Sequence, residues 1–153
     1  KQQHPLIKYW DDDCLEIFID EDNSGGNHRD NYNAFAYHIA IDGRVVDVGT
    51  NGRPRELKGH LVSAIKSDAG KHIWEVAIKI FGEDYDEDSD SNTPLKLSAE
   101  KRMGFMIAYC DNDTSPERES FYGSVIIEGN DKNIGWIDAN IFGLLKLKDS
   151  AAK

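Results

Sequence analysis

Cysteine and long apolar runs are both scarce in this sequence, and each scarcity excludes a class of protein. The two cysteines, Cys14 and Cys110, are too few for a disulfide framework in 153 residues. Neither lies in a C-x-x-C pair of the kind used in zinc or redox sites. No apolar run approaches the ~18 residues that span a bilayer, so we expect no membrane partner.

Basic charge and catalytic motifs are scarce as well. The 18 basic residues face 28 acidic ones, which gives a net charge of −10, and such a surface repels phosphate backbones. We therefore expect no nucleic-acid partner. The sequence has no G-x-S-x-G, H-E-x-x-H or phosphate-loop motif. Its carboxylates are too numerous for any pair to indicate a glycosidase, so the sequence predicts a protein that is not an enzyme.

The composition is that of one globular domain. A hydrophobic fraction of 39% in 153 residues is enough to build a single core, so we assign residues 1–153 to one domain. The chain begins at Lys1 with no signal pattern after it, and we expect it to be a portion of a longer protein. Its richness in acidic, Asn, Gly and Tyr residues suits an extracellular or periplasmic location.

The apolar pattern is that of strands. Leu15, Ile17 and Ile19 alternate with residues of another face, and Asp42-Gly43 is typical of a tight hairpin. Further strands are predicted over Phe35–Ile41, Val45–Val48, Leu61–Ile65, Ile73–Ile80, Phe105–Cys110, Phe121–Ile127 and Phe142–Leu147. Many short strands separated by turns predict an all-β fold, an antiparallel sandwich or jelly roll. The acidic run at residues 83–92 is predicted to be a solvated loop.

Three segments together resemble carbohydrate-binding module family 9. They are Trp10–Asp20, Gly104–Asp113, and Trp136 followed by Phe142–Leu147, with the strand Trp74–Ile78 between them. The resemblance implies a β-sandwich that binds sugars, carries structural calcium and is appended to glycan-degrading enzymes. Family members have several strands before the position of Trp10. Those N-terminal strands either lie on another segment or are missing here. We therefore expect a preceding segment or a second chain to complete the sandwich, or a rearranged N-terminus.

The resemblance also implies a set of sugar ligands. Two tryptophans at the positions of Trp10 and Trp136 clamp the sugar, and the positions of Glu16 and Asn133 hydrogen-bond its hydroxyls. The chemistry suits these roles, because pyranose C–H faces pack on indole rings and a carboxylate makes strong charge-assisted hydrogen bonds. The acidic neighbours of Trp10 and the polar, loop-like segment before Trp136 favour exposure of both rings over burial in the core.

The strand at residues 33–39 departs from the family, because the arginine and the glutamine that face the sugar there are absent. If Tyr37 takes the core position, alternation places His38 where the arginine would be and Ala36 where the glutamine would be. The opposite register would leave no ligand contact on this strand. His38 is thus either a sugar contact or a structural histidine.

Calcium takes six to eight oxygen ligands, usually on a turn. The candidate ligands are Asp20, Asp22 and Asn23, together with Asp30. A second acidic turn, Asp111–Asp113, is a weaker candidate, and neither fits the EF-hand pattern. Both clusters could also be plain solvated turns.

A haem-binding electron-transfer or sensory sandwich of related topology is the alternative function. Its ligands would be Met103 or Met106 and one of the histidines His38, His60 or His72. In that alternative the tryptophan pair has no role.

The resemblance also makes the strands of Cys14 and Cys110 neighbours, so these residues are either bridged or two buried thiols.

Overall fold

The computed structural model describes residues 6–69 and 71–149, and within these ranges the chain forms nine strands and three single-turn 3-10 helices. The strands are β1 (Cys14–Asp20), β2 (Phe35–Ala40), β3 (Val45–Val48), β4 (Pro54–Glu56), β5 (Leu61–Asp68), β6 (Lys71–Ile78), β7 (Arg102–Asp111), β8 (Ser120–Gly123) and β9 (Gly143–Lys146). The 3-10 turns are Tyr9–Asp11, Ile134–Trp136 and Ala139–Ile141.

One large antiparallel sheet forms the main layer. Its strands follow the order β4-β3-β2-β1-β7-β8, and β9 pairs with the first half of β7. The β5–β6 hairpin is a second, two-stranded sheet. Trp74, Val76 and Ile78 of β6 pack against the buried core of the large sheet. The fold is therefore the antiparallel β-sandwich that the alternating pattern predicts.

Strand β1 lies at the centre of the large sheet and is buried along its whole length. Leu15, Ile17 and Ile19 point into the core between the two sheets. The intervening residues point to the opposite face, where Phe18 belongs to a second, smaller hydrophobic cluster. Glu16 shares that second face, so a charged side chain is held at the middle of a buried strand.

The predicted strands all overlap observed ones, and the Asp42-Gly43 hairpin is present. Gly43 has a φ of 85°, and its N–H donates to the Ala40 carbonyl. The short edge strand β4 is not among the predicted strands, and its first residue is Pro54. Proline is tolerated at the start of an edge strand, where no ladder hydrogen bond needs its missing N–H. Among the described residues, no helix is long and apolar enough to cross a membrane.

The acidic run is a loop, as predicted, but one of its carboxylates is not solvated. The side chain of Glu87 is 6% exposed. Its oxygens accept hydrogen bonds from the Tyr32 hydroxyl at 2.5 Å and from the Thr50 N–H and hydroxyl at 3.0 Å each. Arg55 lies 3.5 Å away and supplies a counter-charge. A carboxylate can be buried in this loop because donors from other segments surround it.

Candidate functional site

An open cavity of about 740 Å³ lies against the even-numbered face of β1. Its walls come from the first 3-10 turn, from strands β1 to β3, and from the segments around residues 118 and 134. All five predicted sugar ligands are among the residues that line it: Trp10, Glu16, His38, Asn133 and Trp136. The fold therefore brings all five to one place.

The two tryptophans are partly exposed in this cavity. Trp10 is 40% exposed and Trp136 is 37% exposed. Each lies in a 3-10 turn, which sets its ring beside the sheet instead of within it. The Arg29 guanidinium lies 5.6 Å from the centre of the Trp136 ring, and Tyr9 packs edge-on against Trp10 at 4.9 Å. Both indoles are therefore partly exposed where they line the cavity.

The turn that carries Trp10 is anchored by the second acidic turn, Asp111–Asp113. The Asn112 side chain donates to the Asp11 carbonyl, and the Asn112 N–H donates to Asp13 Oδ1 at 2.9 Å. The Arg118 N–H donates to Asp11 Oδ1 at 3.4 Å. Asn112 is itself buried. These bonds give the Asp111–Asp113 turn a structural role, because they hold Asp11 and Asp13, which follow Trp10 in the chain.

Glu16 is a buried carboxylate at the floor of the cavity, and it is 3% exposed. The Cys110 thiol donates to Glu16 Oε1 at 3.0 Å, His38 Nε2 lies 3.1 Å from the same oxygen, and Arg118 Nη1 lies 3.7 Å from it. Burial acts to raise the pKa of Glu16, but His38, Cys110 and Arg118 together hold that pKa below its ordinary value. Glu16 is therefore an ionised, fixed acceptor before any ligand arrives.

His38 is the cationic partner of Glu16. Its Nδ1 donates to the Ala36 carbonyl at 2.9 Å, and its Nε2 faces the Glu16 carboxylate. Both ring nitrogens face acceptors, so both must carry a proton. Burial acts to lower the pKa of His38, but the Glu16 carboxylate and the nearby Asp47 raise it above its ordinary value. The strand register is the one with Tyr37 in the core and His38 at the cavity.

Asn133 is held by a residue that the sequence argument missed. Arg118 Nη2 donates to Asn133 Oδ1, Arg118 Nη1 donates to Cys110 Sγ at 3.2 Å, and the guanidinium lies 4.4 Å from the Phe121 ring centre. Arg118 thus joins three separate elements around the cavity. Arg118 lies in a loop that carries no recognisable motif. The loop reaches the cavity because β8 pairs with β7, with Phe121 opposite Cys110.

Asp47 is the second residue that was missed. It is buried and lines the cavity. The β2–β3 ladder pairs Val45 and Val46 with β2. The Asp47 carboxylate accepts the N–H groups of Ala36 at 2.9 Å and Val48 at 2.7 Å. Burial raises the pKa of Asp47 to about 6. A single aspartate within the apolar strand Val45–Val48 was the signal available in the sequence.

The candidate calcium ligands are divided between two places. Asp20 and Asp22 are neighbours at the turn after β1, where Asp20 Oδ2 accepts the Gly25 N–H at 2.7 Å. Asp20 Oδ1 is buried without a hydrogen-bond partner among the described residues, and Asn23 follows with a φ of 58°. The structure places Asp30 elsewhere, at the wall of the cavity. An orphaned buried carboxylate oxygen beside a second carboxylate fits a cation, so Asp20, Asp22 and Asn23 stay candidate ligands.

The candidate haem ligands do not all lie on one face of the large sheet. Met103 belongs to the core between the sheets, whereas Met106 belongs to the smaller cluster on the other face. His60 Nδ1 is hydrogen-bonded to the Tyr37 hydroxyl at 3.1 Å, and His72 is exposed and bonded to Ser67. Within the described ranges, no observation favours the haem alternative.

Comparisons with known proteins agree with the resemblance. A family model described as "Carbohydrate family 9 binding domain-like" matches residues 1–150. The fold is similar to that of a carbohydrate binding module family 9 from Caldicellulosiruptor kristjanssonii. The structure in complex with glucose is 17% identical with a TM-score of 0.61, and the match covers 96% of this chain and 64% of that one. The structure in complex with cellotriose is 18% identical with a TM-score of 0.60, covering 99% and 67%.

This chain therefore spans about two thirds of the length of those chains. At such identities the structural likeness shows the fold alone. A search of curated proteins finds no match.

Proposed function

The chain belongs to the carbohydrate family 9 binding domain-like family, and on that premise we propose that it binds a saccharide between Trp10 and Trp136. The observation that carries the proposal is the shared cavity. Two half-exposed indoles line it together with an ionised, oriented carboxylate, Glu16. An apolar ring face and a set of hydroxyls on one ligand match these two kinds of contact.

Glu16 is prepared to accept from sugar hydroxyls. The hydrogen bonds and ion pairs that it makes with described residues all converge on Oε1. Its second oxygen, Oε2, is then the acceptor that a ligand in the cavity reaches. Hydrogen bonds to a charged acceptor are stronger than neutral ones, and this acceptor is already desolvated and fixed. Asn133, oriented by Arg118, offers its side-chain amide as a donor to the same ligand.

The resemblance matches His38 to an arginine of the family, and we propose that His38 helps to select the ligand. An imidazolium bonded to Glu16 and Ala36 has both of its N–H groups engaged. It therefore contributes positive charge and a ring edge rather than the free donors of an arginine fork. The two structural relatives are complexes with glucose and with cellotriose. For this chain we propose a neutral mono-, oligo- or polysaccharide, with the ring in the cavity taken from a glycan chain end.

An extracytoplasmic location and attachment to a glycan-degrading enzyme belong to the same proposal, because they are typical of such modules. The chain itself offers no catalytic motif, and the proposed role is that of a non-catalytic binding module.

A glycan array tests the proposal. The wild-type protein is expected to retain at least one class of glycan, and the double variant Trp10→Ala/Trp136→Ala is expected to lose it. Tyr122→Ala is the matched control, since Tyr122 is 66% exposed and does not line the cavity. Binding of the same glycan by the double variant would show that the sugar binds elsewhere.

A further inference from the structure

Two buried cysteines lie beside Glu16 and have no part in the proposed sugar contacts. Cys14 and Cys110 are Cα partners across β1 and β7, and both are free thiols. One ligand atom from each cysteine and one from Glu16 lie within 4.8 Å of one another. Among the described residues, this is the one set of three potential metal ligands found so close together.

The backbone geometry of this pair disfavours a disulfide. Ile107 directs its N–H and its carbonyl outward to Ser124 at 3.0 and 2.8 Å, and the Asp111 carbonyl accepts from the Glu119 N–H. Odd-numbered residues of β7 thus bond away from β1, and Cys110 bonds toward it. Directly opposed residues at such a hydrogen-bonded position have Cβ atoms near the upper end of roughly 4.5–5.5 Å. A disulfide needs a Cβ separation of roughly 3.5–4.5 Å.

A metal ion spans the distance that a direct S–S bond does not. Two thiolates at about 2.3 Å from a tetrahedral zinc lie about 3.8 Å apart, against about 2.0 Å in a disulfide. Cys14 and Glu16 are two residues apart on the same face of β1, and Cys110 is the cross-strand neighbour of Cys14. Three ligands thus converge from two rigid, central strands, on one side of a sheet.

We propose that Cys14, Glu16 and Cys110 form a binding site for a thiophilic divalent cation of the zinc class at the floor of the cavity. Two sulfurs and one carboxylate oxygen are a donor set that zinc accepts. A solvent oxygen would complete the tetrahedral set. His38 stays hydrogen-bonded to Glu16 and orients the carboxylate.

The charge balance of the buried cluster favours this site. On binding, each thiol releases its proton to solvent, so two protons leave as a +2 ion enters, and the net charge of the cluster does not change. Two thiolates and one carboxylate around a +2 ion sum to −1. Two cations lie beside that charge. The Arg118 guanidinium lies 3.2 Å from Cys110 Sγ and 3.7 Å from Glu16 Oε1. The His38 imidazolium lies 3.1 Å from the same oxygen. The buried Asp47 carboxylate, which interacts with His38, supplies the second negative charge. Burial of an uncompensated charge is thereby avoided.

A cobalt titration of the reduced protein, without sugar, tests the proposal. Co²⁺ is expected to bind with one-to-one stoichiometry, with thiolate-to-cobalt charge-transfer absorption, and to be displaced by Zn²⁺. Calorimetry in buffers of different ionisation enthalpy should report two protons released per metal. Cys14→Ser and Cys110→Ser should each lose stoichiometric binding. Arg118→Gln should weaken it about 10–100-fold, the usual effect of removing an outer partner, and the exposed Arg53→Gln is the matched control.

Two results would overturn the metal site. One is the absence of charge-transfer absorption in protein whose two thiols both react with a thiol reagent. The other is an intact mass showing the Cys14–Cys110 bond already formed in the isolated protein. Either result leaves the sugar proposal standing, because cobalt is titrated in the absence of sugar, and the array result in turn does not depend on the metal.

Discussion

Strand β1 carries two buried carboxylates on the same face, four residues apart, and their surroundings are opposite in character. Glu16 has a thiol donor, an imidazolium and a guanidinium around one oxygen. Asp20 has one backbone N–H, a neighbouring carboxylate and one oxygen with no partner. The pKa of Glu16 lies below its ordinary value because these partners outweigh burial. Burial and the nearby Asp22 hold the pKa of Asp20 above its ordinary value.

This difference shows how the same strand can prepare two kinds of site. At the cavity end the protein supplies the positive charge, so Glu16 can accept from a neutral, hydroxylated ligand without reorganisation. At the turn end the negative charge of Asp20 and Asp22 is uncompensated, so a bound cation would supply the positive charge that no side chain among the described residues provides there. The predictions below test each half of this contrast.

The largest expected effect comes from removing the Glu16 charge. Glu16→Gln leaves the charges of His38 and Arg118 buried without their anion, and breaking a buried pair in this way costs about 3–5 kcal/mol. The free energy of unfolding, measured by urea denaturation in a chelating buffer, should fall accordingly. Asp20→Asn should be nearly neutral under the same conditions, because it relieves the repulsion with Asp22. Equal losses in the two variants would contradict the contrast.

The next effect is the response to calcium at the turn. A cation that binds only the native state at a hundredfold its Kd adds about 2.7 kcal/mol. The melting temperature should fall when a chelator is added and recover with calcium but not with equal magnesium, which prefers a tighter octahedral shell. Asp22→Asn should abolish the response, and Asp113→Asn, in the other acidic turn, should keep it. A wild-type melting curve indifferent to chelator, with no bound metal by elemental analysis, would remove calcium from this account.

The tryptophans should matter for affinity and hardly for stability. Trp10→Ala and Trp136→Ala should each reduce the binding free energy for a glycan found on the array by about 1–3 kcal/mol, measured by isothermal titration calorimetry. Their unfolding free energies should change little, since both rings are about 40% exposed or slightly less. A variant that keeps full affinity would mean that its ring is not a wall of the binding slot.

The smallest effect is the pH dependence of stability at the cavity end. The folded-state pKa of His38 is raised, so its contribution is complete below its ordinary value of 6.5 and is lost as the pH rises through the folded-state value. The pKa of Glu16 is lowered, so its contribution is present above 4.5 and is lost as the pH falls through the folded-state value. The stability difference between wild type and His38→Gln should therefore be greatest between pH 4.5 and 6.5. A difference that keeps growing above neutral pH would mean that His38 is neutral in the fold.

Much of the sheet could be predicted, because period-two alternation is a direct consequence of strand geometry. The alternation of Leu15, Ile17 and Ile19 predicts β1, and the same period of two places Tyr37 in the core. The five predicted sugar contacts came from the resemblance, and all five line the cavity. Pro54 illustrates the limit of local signals, since an edge strand is defined by its neighbour and not by its own residues.

The polar surroundings of the site could not be predicted, because they depend on contacts between distant segments. Arg118 contacts Glu16 and Asn133 because the pairing of β8 with β7 brings its loop to the cavity. Glu87, in a run of acidic residues, is buried because Tyr32 and Thr50 meet it from other loops. Asp30 is near Asp20 in the sequence, but the intervening loop carries it to the cavity. Sequence spacing does not encode such encounters.

A crystal structure of the protein with a glycan identified on the array tests the central claim most directly. The account predicts one sugar ring between the faces of Trp10 and Trp136, with a hydroxyl within hydrogen-bond distance of Glu16. A sugar bound at any other surface, with the two indoles and Glu16 untouched, would contradict it.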